Sequence, residues 1–167
     1  GGVPLEGQVS LRYERATNQL SLRDSRLRTP NASIEVAGTL MQTLRVKFQA
    51  TNLDDVRPAM EFGGATEPLP VRLDGKGSVQ FEGTVSGSLQ SPLVAGQVRA
   101  SSAIWGELHA DALSSTVVAS AERLTLTRFS VTHEGATANG SGTIELRNWK
   151  VSGASAIDVR AEARGMN

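Results

Sequence analysis

The feature that most constrains this chain is a three-residue word, glycine then a polar residue then an aliphatic one. It occurs eight times: GQV at 7–9, GTL at 38–40, GSV at 77–79, GTV at 83–85, GSL at 87–89, GQV at 96–98, GEL at 106–108 and GTI at 142–144. Each copy opens or punctuates a stretch in which apolar and polar residues alternate, the period of a strand with one face toward a core. Recurrence along the whole chain predicts a long run of short strands on one repeating plan.

Composition narrows what such strands can build. The 167 residues fit one domain of ordinary size or one segment of a longer repetitive protein, and Gly1-Gly2 reads as a cloning remnant. An apolar share of 39% with only 4% aromatic residues argues against a thick aromatic core. Seventeen basic and seventeen acidic residues cancel, and the arginines are scattered, so no bulk attraction to nucleic acid or anionic membrane is expected. The chain has no cysteine, hence no disulfide or thiol chemistry, and it contains no apolar run long enough to cross a membrane as a helix.

The alternation is easy to follow. Val9, Leu11 and Tyr13 share one face of a first strand, and Leu20 and Leu22 follow after a turn through Thr17-Asn18, as a hairpin would place them. Leu27 starts a short piece. Ile34, Val36, Gly38 and Leu40 then alternate, as do Leu44, Val46 and Phe48. From Asn52 to Gly75 the pattern lapses: Leu53–Met60 reads as one or two helical turns capped by Asn52, with Asp54-Asp55 at the favourable amino end, and the prolines and Gly63-Gly64 read as an irregular crossing over one end or edge of the sheet. Order resumes at Val71 and Leu73, then Val79, Phe81, Val85, Val94 and Val98. Residues 109–121 suit a strand or a short helix, and pieces at Leu124-Leu126, Phe129-Val131, Ala136–Leu146, Trp149-Val151 and Ile157–Ala161 follow. The expectation is an all-β chain of about 12 to 15 short strands. It divides into a β-repeat segment at 1–51, the crossing at 52–75, and a second β-repeat segment at 76–167 that continues the same sheet.

Two further regularities stand out. Gly38, Gly83, Gly87 and Gly96 fall on the apolar phase, which predicts facing walls in close approach or a bend in each strand. Residues 20–40 also align without a gap on 124–144 at an offset of 104, matching Leu20 to Leu124, Leu22 to Leu126 and Gly38-Thr39-Leu40 to Gly142-Thr143-Ile144, which reads as an internal duplication.

No cluster reads as a reaction centre. His109 and His133 are 24 residues apart in unrelated contexts, and His133-Glu134-Gly135 reads as a solvated turn. No G-x-S-x-G elbow, dinucleotide fingerprint or phosphate loop occurs. The chain is therefore expected to be no enzyme and to need neither cofactor nor metal. Periodicity alone leaves two readings of the apolar phase open, a packed sandwich core or an open trough wide enough for acyl chains.

The phrase GTVSGSLQSPLVAGQVRA at 83–100, then Ile104-Trp105-Gly106, then ERLTLTRFSVTHEGATANGSGTIEL at 122–146, resembles the TamB and AsmA-like family of long bacterial envelope proteins. The first phrase is similar to that family's Gly87, Leu89, Ser91-Pro92, Val94, Gly96 signature. LSLRDSRLRTPNASIEVAGTL at 20–40 matches the later unit, and LDDVRP at 53–58 looks like a short helical insertion between repeats. The resemblance implies an elongated curled sheet, antiparallel or mixed, a β-taco, with a continuous hydrophobic groove. It also implies a periplasmic location within an inner-membrane-anchored protein, phospholipid acyl chains as cargo moving toward the outer membrane, and an outer-membrane TamA-like barrel as partner. Groove lining would fall to Leu20, Leu22, Ile34, Val36, Leu40, Val46, Phe48, Val79, Phe81, Val85, Val98, Leu124, Leu126, Ile144 and Leu146. The competing expectation is a β-rich chaperone-like scaffold that pairs its sheet edge with strands of unfolded outer-membrane proteins.

Overall fold

A computed structural model describes residues 4–56, 71–88 and 90–165. One antiparallel sheet holds ten strands in strict sequence order: β1 Glu6–Glu14, β2 Gln19–Arg28, β3 Ala32–Thr39, β4 Thr43–Ala50, β5 Val71–Gly87, β6 Pro92–Trp105, β7 Leu108–Ala119, β8 Arg123–His133, β9 Ala136–Glu145 and β10 Ile157–Arg164. The fold is an elongated, curled, open sheet of the β-taco type, and β4 pairs directly with β5 across the 52–70 connection.

Ten strands replace the expected 12 to 15 because several short pieces join through irregularities. Between Leu22 and Ser25 strand β2 carries one residue more than β3, and Asp24 adopts a left-handed φ of 41°. Strand β8 does the same between Leu126 and Phe129, while β5 runs through Gly75 between Leu73 and Ser78. A bulge breaks the two-residue period without ending the strand, so alternation alone divides one strand into two. Of residues 109–121, those to Ala119 are strand, within β7, with Ser120 and Ala121 in the connection that follows, and Trp149-Val151 forms no strand: only an isolated bridge joins Arg147 and Lys150.

Of the helical piece expected at 53–60, the described residues show a 3₁₀ turn at Leu53–Val56, with the Asn52 side-chain oxygen accepting from the Asp54 amide at 2.9 Å; the remainder lies outside the described residues. The Asp55 carboxylate ties this turn to the sheet. It accepts from Thr29 Oγ1 at 3.0 Å and from the Asn31 amide and side chain at 3.1 Å each, fixing the β2–β3 connection.

Register is pinned on the polar face. Arg26, Glu35, Lys47 and Glu82 stand opposite one another across β2 to β5. Arg26 pairs with Glu35, and Lys47 lies 3.6 Å from Glu82. These pairs are exposed and each contributes well under about 1 kcal/mol, but a two-residue slip between β4 and β5 would set Lys47 opposite Gln80 or Thr84 and lose its pair.

A continuous apolar face as the candidate functional site

Directly opposed residues of neighbouring strands lie on the same face, so the pairing can be followed across the sheet. One row runs Leu11, Leu22, Gly38, Leu44, Val85, Val94, Ala119, Leu124, Ile144, Ile157. The next pairs Val36, Val46, Gly83, Gly96, Val117, Leu126, Gly142 and Val159. A third takes Leu27, Ile34, Phe48, Phe81, Val98, Ser115, Phe129, Gly140 and Ala161. The result is one apolar face that spans all ten strands.

None of the described residues fills that face. Among the described residues the only buried apolar side chains are Ala50 and Ala103, and no side chain is wholly enclosed. Interior-strand members such as Val46, Phe48, Phe81 and Leu126 are half-buried, while those at the two ends are open: Leu11 is 61% exposed, Tyr13 59% and Ile157 61%. A packed sandwich of this length would enclose large aliphatic side chains completely. The face is an open surface of half-covered side chains.

All fifteen residues expected to line a groove are half-buried. Register places those within the strands on the common face, and Leu40 and Leu146 extend it, their amides bonding Leu20 and Glu122. The face also takes in Leu11, Tyr13, Leu44, Val94, Val117, Phe129, Ile157 and Val159, which the same alternation would have found.

Two of the glycines of the apolar phase, Gly83 and Gly96, make room for a ring rather than for a facing wall, while Gly38 and Gly87 take positive φ. Gly83 and Gly96 stand opposite each other, and the Phe81 ring lies over both: a Cβ at either position would come within 2.7 Å and 2.9 Å of ring carbons. The Phe129 ring covers Gly140 in the same way, 2.7 Å from where a Cβ would stand. The space that glycine leaves is filled within the sheet by a ring lying flat across its neighbour, not by a facing wall.

The face has a limit. Beyond the β5 irregularity, with Ser102 at a φ of 48°, the apolar residues change phase: Leu73, Ala103 and Ala110 share one row, while Ile104 stands opposite His109 on the other phase. There β7 and β8 bring the two histidines together, which sequence separation concealed. Their rings stack at 6.5 Å, Asp111 Oδ1 lies 3.9 Å from His133 Nδ1, and Asp111 Oδ2 accepts the Glu134 amide at 2.7 Å. Glu134 and Gly135 do form the expected turn, both with positive φ. Among the described residues no group of three or more His, Cys, Asp or Glu is placed to hold a metal ion.

The opposite face is charged. A shallow depression of about 210 Å³ there is lined by Glu35, Lys47, Gln80, Glu82 and Arg99 among others, which offers little to an apolar ligand. No helix among the described residues is long and apolar enough to cross a membrane. The chain matches no protein family, no curated protein and no solved structure.

Proposed function

We propose that this chain is a non-enzymatic segment of a periplasmic, inner-membrane-anchored TamB/AsmA-like protein, and that its apolar face shields phospholipid acyl chains on their way toward the outer membrane. The observation that carries the reading is the unbroken apolar face across ten strands, with no side chain wholly enclosed among the described residues. An elongated surface of aliphatic side chains, with few polar donors, suits a ligand recognised by hydrophobicity along its length. Each acyl methylene covered contributes about 0.8 kcal/mol. A TamA-like barrel at the outer membrane would be the receiving partner.

The test is mass spectrometry of lipids that copurify with the chain expressed in the periplasm. Phospholipid is expected on the parent, with several-fold less on Val46→Asp and on Val117→Asp, which set a charge in the middle of the face. Absence of lipid from the parent, or full retention by both folded variants, would overturn the proposal. A scaffold acting by strand pairing would instead give photo-crosslinks to unfolded outer-membrane proteins confined to β1 or β10, whereas acyl shielding gives lipid crosslinks across β4 to β8.

A further inference from the structure

Among the described residues nothing pairs with the outer edge of β1 or of β10, and the charges that both strands carry are of mixed sign, Glu6, Arg12 and Glu14 on β1 and Asp158, Arg160, Glu162 and Arg164 on β10. No proline, bulged residue or inward-pointing charge interrupts the outward side of either strand. Three independent properties make these two edges fit each other.

The first is backbone direction. With ten strands alternating, β1 and β10 run antiparallel, so β10 followed by another β1 continues the sheet without a reversal. The second is the direction of the free hydrogen-bonding groups. The Leu40 amide donates to the Leu20 carbonyl at 2.9 Å, so the Leu20 and Leu22 backbone faces β3. Leu11 and Tyr13 opposite them therefore point their amides and carbonyls outward. At the other end the Glu145 amide donates to the Ala156 carbonyl at 2.9 Å, which turns the Asp158 and Arg160 backbone toward β9 and leaves that of Ile157 and Val159 outward. Both edges thus present the backbone of their apolar residues, and pairing them sets apolar opposite apolar in hydrogen-bonded pairs.

The third property is charge, which favours one register, with the longest overlap of the two strands, over its two nearest neighbours. With Ile157 opposite Tyr13 and Val159 opposite Leu11, Asp158 falls opposite Arg12 and Arg164 opposite Glu6. Shifting by two residues in one direction sets Glu162 against Glu6; in the other it sets Arg160 against Arg12 and Asp158 against Glu14. Like charges directly opposite disfavour both.

We propose that a second copy of this chain adds its β1 to β10 in this register, head to tail, extending the sheet and its apolar face. The interface is heterologous, joining different edges of two copies, so each added copy leaves an edge free for the next. This inference concerns the 167-residue chain by itself and is independent of what the apolar face binds.

Sedimentation and light scattering across a concentration series are expected to show species growing beyond the 17.6 kDa monomer. Val159→Pro, which removes only an outward amide, should abolish growth while circular dichroism stays that of the parent. Register is read by disulfide trapping, since the chain has no cysteine of its own. Ser10→Cys mixed with Arg160→Cys, a close non-hydrogen-bonded pair in this register, should crosslink, and Gln8→Cys with Arg160→Cys should not. A monomer at every concentration, growth undiminished by Val159→Pro, or crosslinks between two β1 or two β10 strands would each overturn the proposal.

Discussion

The β2–β3 and β8–β9 hairpins take the same backbone path with different residues. In the first, Leu22 opposes Gly38, then an extra residue intervenes, then Ser25 opposes Val36 and Leu27 opposes Ile34. In the second, Leu126 opposes Gly142, the bulge follows at the same place, then Phe129 opposes Gly140 and Val131 opposes Ala138. All three pairs keep the offset of 104 seen in the sequence, and both bulged strands are out of step with the strand before them too. The one pair whose sizes are exchanged lies just past the bulge: small opposite large in the first hairpin, large opposite glycine in the second. Register and bulge are what the repeat holds fixed; how the volume next to the bulge is divided between two strands is free, provided the sum fits.

The largest expected effect comes from forcing one hairpin's division onto the other. Gly140→Val copies Val36, but a Cβ at Gly140 would collide with the Arg160 carbonyl of β10 and stand 2.7 Å from the Phe129 ring. A loss of about 3 kcal/mol is expected, read as a lower urea midpoint. Adding Phe129→Ser completes the copy and removes the ring clash, yet leaves the carbonyl in place, so recovery should be partial. Complete recovery would mean that β10 gives way and that the two hairpins are interchangeable.

A smaller contrast separates the two glycines of the shared Gly-Thr-aliphatic word. Gly38 has a φ of 139°, and its Cβ would meet the Thr43 carbonyl of β4, whereas the nearest atoms to a Cβ on Gly142 are Val159 Cγ2 at 3.0 Å and the Asp158 carbonyl at 3.2 Å. Gly38→Ala should cost about 2 kcal/mol through backbone strain and collision. Gly142→Ala should stay within about 0.5 kcal/mol, because the Val159 methyl sits on an edge strand and can move. Equal costs measured by thermal and urea unfolding would erase the distinction between an interior and an edge neighbour.

Much of this was legible in the sequence, and the physical reason is period. Alternation needs no knowledge of partners, so Val46-Phe48, Val79-Phe81 and Leu124-Leu126 announce both a strand and a face. The repeat at an offset of 104 was legible because hairpins of equal length keep equal register. What alternation cannot carry is a bulge: the extra residue near Asp24 looks like the end of a strand, and the 17 residues of β5 look like two strands. Nor does it carry proximity across a hairpin, which is why His109 and His133 looked unrelated until β7 paired with β8. The glycines were half legible. Their phase was plain, but their use depends on where the Phe81 and Phe129 rings lie.

The smallest effect concerns the hydroxyls that serve the two bulges, where the hairpins differ in how buried the group is and in whether one strand or both supply it. In β2 the bulged strand supplies its own: Ser25, only 6% exposed, accepts the Ser10 amide at 3.2 Å and donates to the Arg23 carbonyl at 3.3 Å. At the β8 bulge both strands supply one, Ser115 donating to the Arg128 carbonyl at 2.8 Å in a more exposed setting and Thr127 Oγ1 to the Thr116 carbonyl at 3.4 Å. Ser25→Ala leaves a part-buried amide without its acceptor and should cost about 1 kcal/mol. Ser115→Ala exposes a carbonyl that water reaches, so about 0.5 kcal/mol or less is expected. Amide hydrogen exchange sharpens the test: Ser10 should exchange several-fold faster in Ser25→Ala while residues beyond β1 and β2 keep their rates. If both alanine variants lose the same stability, then burial at the first bulge is not what distinguishes it, and the two hairpins are closer equivalents than their side chains suggest.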